Sequence, residues 1–109
     1  MDEKQVIEYV RGKLPDNDTI TAVAEFFKVF GDPTRAKIMS CLEVKDLYVN
    51  EIAEILGMSI SAVSHQLRVL RSAKLVKASK CGKEVKYCLD DNHVAQIIEA
   101  GITHVNEEH

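Results

Sequence analysis

Residues 51–76 read EIAEILGMSISAVSHQLRVLRSAKLV, and this stretch decides the fold. Ile52, Ala53 and Leu56 recur at helical spacing, and Gly57 stands where a helix closes on a left-handed residue. Only Met58 and Ser59 precede the next helical pattern. Ser59 is a good N-cap, because its hydroxyl can accept one of the amide protons that a helix start leaves without a partner. Val63, Leu67 and Leu70 then line one face. Helix, tight glycine turn and helix over residues 48–72 make a helix-turn-helix.

Downstream, from Leu75, the period changes from helical to alternating. Val76 and Ala78, then Val85, Tyr87 and Leu89, flank the segment SKCGKE at 79–84, which reads as a β-hairpin with Gly82 in its turn. This hairpin, 75–89, is a candidate wing. A last helix is expected from about Asn92 to Val105. Upstream, residues 1–17 hold a weakly periodic helix or arm (Val6, Ile7, Val10). Pro15-Asp16-Asn17-Asp18 breaks it, and Asp18 is expected to cap a second helix carrying Ile20, Val23, Ala24, Phe27 and Phe30. That helix stops at Gly31. Asp32-Pro33 opens a third, with Asp at N-cap and Pro at N1, whose buried stripe is Ile38, Met39 and Leu42. The expected fold is mainly α with a β-hairpin wing (α+β): one winged helix-turn-helix domain over 1–109, with helices added at both ends.

Length and composition agree with one soluble domain. The chain has 109 residues, 46% apolar and 28% charged, which excludes a disordered chain and leaves room for one core. No apolar run approaches the roughly 20 residues of a membrane span. The acidic, polar start MDEKQVIEYV is unlike a signal peptide. A cytoplasmic protein is expected, with no membrane partner. Three cysteines, Cys41, Cys81 and Cys88, lie too far apart for a CxxC site and suit reduced thiols better than a disulfide framework.

The net charge of −3 hides an asymmetry. From Ser59 to Leu89 there are seven Lys and Arg residues and one acid, Glu84, a local charge of +6; the remainder holds seven basic and sixteen acidic residues, or −9. A basic segment on an acidic body is an electrostatic footprint for phosphate. Within it, the helix SISAVSHQLRVLRSAKL turns Val63, Leu67 and Leu70 inward. Ser61, Ser64, His65, Gln66 and Arg68 are left for a partner. Short hydroxyls, an amide and a guanidinium suit base edges and phosphates in a major groove. Ser61, Ser64, His65 and Gln66 are expected near bases, and Arg68 and Arg71 near phosphate or internal acids. Lys80 and Lys83 flank Gly82 at the wing tip, within reach of a neighbouring backbone. One such module has a small footprint, so a homodimer on double-stranded operator DNA with an inverted repeat is expected.

These residues resemble the ArsR/SmtB family of metal-responsive repressors. The resemblance covers about residues 20–107. It is carried by FKVFGDPTRAKIM (27–39), by 51–76, by the hairpin, and by DNHVAQIIEAGITHVNEE (91–108). It implies a dimer that binds operator DNA without metal and releases it with metal. Some members place cysteines in a segment like ELCVCDIA. Here 46–53 reads DLYVNEIA, with Tyr48 and Asn50 at those places, which argues against cadmium, lead or arsenite.

The last helix supplies a harder ligand set. His93 and His104 are 11 residues apart, about 20° beyond three full turns, so they share a face but stand about 16 Å apart along the axis. One ion cannot join them within a straight helix. An antiparallel copy of the helix brings Asp91 and His93 of one protomer beside His104 and Glu107 of its partner, giving two identical sites per dimer. Two imidazoles and two carboxylates suit Zn(II), with Co(II) or Ni(II) as further candidates. Ile97 and Ala100 share that face. The D-x-H…H-x-x-E spacing looks like the interhelical zinc site of the family's zinc-sensing members. His109 is a spare ligand or a frayed end.

The expected function is a Zn(II)-responsive transcriptional repressor and not an enzyme. The competing reading is a repressor of the same fold that answers to a thiol or small molecule, its last helix serving only to dimerise. Thiol-dependent DNA release without metal favours that reading. A metalloenzyme needs an open coordination position, and all four ligands are used. A pure protein-interaction module predicts no DNA affinity at any salt concentration.

Overall fold

The computed structural model describes residues 1–107, so Glu108 and His109, with the expectation attached to His109, lie outside the described residues. The elements run α1 (Glu3–Lys13), α2 (Asn17–Phe30), α3 (Pro33–Val44), β1 (Leu47–Tyr48), α4 (Val49–Leu56), α5 (Ile60–Ser72), β2 (Val76–Cys81), β3 (Glu84–Leu89) and α6 (Asn92–Asn106). This is the expected winged helix-turn-helix. α4 and α5 form its two helices, and β2 and β3 form its wing.

Local chemistry fixes most boundaries. Asp32 accepts the Arg35 N–H at 3.0 Å and Pro33 follows it, so α3 starts where sequence placed it. Gly57 closes α4 at φ +65°, and the Ser59 hydroxyl accepts the Ala62 N–H at 3.1 Å to open α5. Gly82 turns the wing at φ +67°.

Two details differ from the expectation, and a third adds to it. The cap of α2 is Asp16 and not Asp18: the Asp16 carboxylate accepts the Thr19 N–H at 2.7 Å, and Asp18 lies inside the first turn. There a carboxylate still favours the positive end of the helix dipole. The wing is not a free hairpin. Leu47 and Tyr48 pair antiparallel with Tyr87 and Lys86, making a three-stranded sheet of order β1-β3-β2. Finally, α5 ends on Lys74 at φ +61° without a glycine; the Leu75 N–H reaches back to the Leu70 carbonyl at 2.9 Å, the closing pattern of a Schellman turn.

The core sits around α3. Ile38, Met39 and Leu42 meet Ile52 of α4, Val63, Leu67 and Leu70 of α5, Leu75 and Val76 at the start of the wing, and Val94 and Ile98 of α6. Strand register places Val76, Ala78, Tyr87 and Leu89 together on one face of the sheet, which packs on this core. Among the described residues no buried side-chain polar atom lacks a hydrogen bond.

Outside this core, much apolar surface has no cover. Every residue of α1 is exposed, including Val6, Ile7, Tyr9 and Val10. Ile20, Val23 and Phe27 of α2 and Ile102 and Val105 of α6 are exposed too. The radius of gyration is 17.9 Å, against about 13 Å for a compact chain of this length. The excess marks helices that reach out beyond the core of their own chain.

Two substitutions test this account. Leu67→Ala, at a fully buried position, is expected to cost about 2–5 kcal/mol. A Cβ at Gly57 would meet nothing within 4 Å. Gly57→Ala should therefore cost only the left-handed backbone penalty, about 1–2 kcal/mol. Urea unfolding of both variants checks the order. Equal losses would mean that Gly57 is held by packing and not by backbone conformation.

Candidate nucleic-acid interface and metal centre

The DNA-reading candidates divide by their position on α5. Ser61, His65 and Arg68 are exposed and recur at i, i+4 and i+7, so they form one outward stripe. Ser64 and Gln66 are half-buried on the two flanks of that stripe. Ser64 borders a cleft of about 370 Å³ shared with Tyr48 and Asn50 at the start of α4 and with Glu84 and Tyr87 of the wing. Gln66 turns to the other side, where its Oε1 lies 3.5 Å from Arg35 Nη1. Lys80 and Lys83 are exposed on either side of Gly82. Arg68 and Arg71 are exposed and, among the described residues, pair with no acid. The reading stripe and the wing tip are therefore accessible, with the local positive charge around them.

Two residues of this region escaped the sequence. Asn50 lies beside Ser64 only because β1 holds the start of α4 against the wing. Arg35 meets Gln66 across 31 positions, and no spacing rule reports such a contact. Lys86, over the Tyr48 ring at 5.3 Å, is held down on the sheet by a cation–π contact.

On α6, Val94 and Ile98 are buried against the core, whereas His93, Ala100 and His104 are exposed and Ile97 is half-buried. The helix thus presents His93, Ile97, Ala100 and His104 along one stripe. Each histidine comes with its carboxylate. Asp91 Oδ2 stands 3.5 Å from His93 Nδ1, and Glu107 Oε2 stands 4.0 Å from His104 Nδ1. Asp91 also caps α6, its Oδ1 accepting the Val94 N–H at 3.2 Å. That hydrogen bond, and secondarily His93, holds the Asp91 carboxyl below its ordinary pKa, so the group is anionic at neutral pH. One oxygen caps while the other faces the imidazole.

This donor set fits a divalent metal in halves. Each end of α6 offers one imidazole and one carboxylate at mutual contact distance, all four side chains at least half exposed. Among the described residues of one chain, no group of three or more His, Cys, Asp and Glu side chains gathers. All three cysteines are free of disulfides. Burial pushes the Cys41 and Cys88 thiols up, away from the thiolate that binds metal or attacks.

The capping role separates from the ligand role by substitution. Asp91→Asn keeps an N-cap acceptor and is expected to leave the melting temperature of the metal-free protein near that of the wild type, whereas Asp91→Ala lowers it. Both should lose metal affinity. Thermal unfolding without metal, beside a metal titration, checks this; a destabilised Asp91→Asn would show that the carboxylate charge is structural.

Comparison with known proteins bears on the fold and the family. A family model described as bacterial regulatory protein, arsR family, matches residues 32–78. The chain is 40% identical over 101 residues to the transcriptional repressor SmtB homolog of Synechocystis sp., covering 93% of this chain and 76% of that protein. It is 41% identical over 86 residues to the cadmium resistance transcriptional regulatory protein CadC homolog of Staphylococcus aureus, covering 78% and 71%. Among solved structures, it is similar to the homodimeric winged helix-turn-helix DNA-binding domain of a possible ArsR-family regulator from Mycobacterium bovis, with TM-score 0.79, 25% identity and coverage of 87% and 90%. No helix among the described residues is long and apolar enough to cross a membrane.

Proposed function

The chain belongs to the arsR family of bacterial regulatory proteins, and from that membership we propose that it is a homodimeric transcriptional repressor released from operator DNA by Zn(II). The observation that carries the metal is the pair of His–carboxylate half-sites at opposite ends of one exposed helical face. The relatives support a metal-responsive repressor in general terms. One is a repressor and another is named for cadmium resistance. The choice among metals rests on the ligands of this chain, two imidazole nitrogens and two carboxylate oxygens, which suit Zn(II) or Co(II) better than a thiophilic ion.

The dimer follows from surface that one chain leaves uncovered. α1, the outer face of α2 and the distal half of α6 expose Val10, Phe27 and Val105 among others. A second copy is the occupant that covers the same patch on both partners. In this reading residues 91–107 serve dimerisation and metal binding, 48–72 read DNA, and 75–89 form the wing. Ser61, Ser64, His65, Gln66 and Arg68 meet the major groove, and Lys80 and Lys83 the backbone beside it. The protein is a regulator and not an enzyme.

Asp91 and His93 would hold one ion together with His104 and Glu107 of the partner subunit, two sites per dimer. When bound, the metal ties two α6 helices in one relative orientation. The rest is mechanics of this chain. Val94 and Ile98 seat α6 on α3, and α3 seats α5, so a change in the α6 pair moves both reading stripes. A ligand acts only through its difference in affinity for the two arrangements.

Fluorescence anisotropy of the apo protein on a fragment of its own promoter, at fixed salt, tests this. One Zn(II) per monomer is expected to weaken binding by about 5–150-fold, the usual range of allosteric coupling. His104→Asn should still fold and bind DNA but lose the response. Equal binding with and without Zn(II) ends the sensor reading. A stronger response to Co(II) or Ni(II) would replace the metal and keep the site. No DNA binding at all would end the repressor reading.

A further inference from the structure

One side chain in the first turn of α3 reaches two other helices. The Arg35 backbone N–H donates to the Asp32 cap, its Nε donates to the Val29 carbonyl in the last turn of α2 at 2.9 Å, and its Nη1 reaches Gln66 Oε1 on α5 at 3.5 Å. The Val29 carbonyl is one of the four that a helix end leaves without an internal partner. Gly31 N–H serves two others, those of Phe27 and Lys28. Arg35 is half-buried, as is Gln66, so neither side chain moves with the freedom of a surface residue.

Resting on the DNA-reading role proposed above, we infer that Arg35 is a positioning residue that fixes the Gln66 amide as a donor toward DNA. The chemistry decides the orientation. A guanidinium carries five N–H donors and no acceptor, whereas a glutamine amide has an acceptor end and a donor end. Only the oxygen can face Arg35, because a flipped amide would set N–H against N–H. With Oε1 held inward, Nε2 and its two protons are the end left for a partner. They match a hydrogen-bond acceptor on DNA: a phosphate oxygen, a purine N7, guanine O6 or thymine O4. The bidentate glutamine–adenine pair also needs Oε1 to accept from adenine N6, and it would have to use the second lone pair of an oxygen already turned to Arg35. Gln66 is thereby held in one amide orientation, with its donor end the one left wholly free for DNA. Its ordering also precedes DNA binding, which removes part of the entropy cost of the contact.

Two measurements on the full-length apo protein test the inference. The first needs no DNA. The chain has three glutamines, Gln5, Gln66 and Gln96, so side-chain amide NMR resolves Gln66 against two internal controls. Arg35→Ala should shift the Gln66 amide signals and leave those of Gln5 and Gln96 in place, and Arg35→Lys should shift them less. The second is a double-mutant cycle on operator DNA. Arg35→Ala and Gln66→Ala are each expected to weaken binding about tenfold, the scale of one lost hydrogen-bonding contact. The double variant should be no weaker than the weaker single one. Equal losses on random-sequence DNA would identify a phosphate acceptor. Losses confined to the operator would identify a base. Should Arg35→Ala fail to fold, Arg35→Lys carries the same cycle. An unmoved Gln66 amide, or losses that multiply in the double variant, overturns the inference while wild-type operator binding leaves the repressor reading intact. A wild type that binds no DNA overturns both.

Discussion

The packing of α3 against α5 and α6 is the constraint on which the rest depends. Ile38 and Met39 are fully buried, as are Val63, Leu67 and Leu70 opposite them, and Val94 and Ile98 close the third side. Each such side chain contributes about 1.5–3 kcal/mol on burial, and interiors packed at this density transmit displacement instead of absorbing it. The helix that reads DNA and the helix that carries the histidines are therefore two faces of one solid piece. The three-stranded sheet adds the wing to that piece. Val76 and Leu89 anchor its base in the same core, and β1 clamps β3 from the other side.

How much of this was legible follows from the range of each interaction. The helix-turn-helix was legible because its signals are local: Gly57, Ser59, and three apolar residues at helical spacing. The Asp32-Pro33 start and the Gly82 turn are local in the same way. β1 was not legible, because a two-residue strand has no period and its hydrogen bonds go to residues about forty positions away. The choice of Asp16 over Asp18 turns on which carboxylate lies three residues before a free amide, and the sequence PDND offers both. Lys74 at positive φ runs against the rule that puts glycine there. Tertiary packing of Leu75 outweighs the cost of about 1–3 kcal/mol of such a conformation.

The candidate sites split along the same line. Spacing alone put His93 and His104 on one face of α6 and named Asp91 and Glu107 beside them, and the structure adds the distances, 3.5 and 4.0 Å. The pairing of Arg35 with Gln66 depends on how α3 crosses α5. It could not be read from either segment, yet it sets which end of the Gln66 amide is turned inward.

The place of the metal half-sites follows from where the molecule can move. Allosteric control needs an element with two arrangements. Within one chain the apolar core is packed and its buried side-chain polar atoms are satisfied. The uncovered faces of α1, α2 and α6 are different. In the proposed dimer they are joints between chains, and a coupling of about 1–3 kcal/mol is small beside the core and large beside a shift at an interface. Ligands divided between the two ends of α6 make affinity for the ion depend on how two chains meet. In the proposed function, that dependence would convert a metal concentration into a position of the reading stripes.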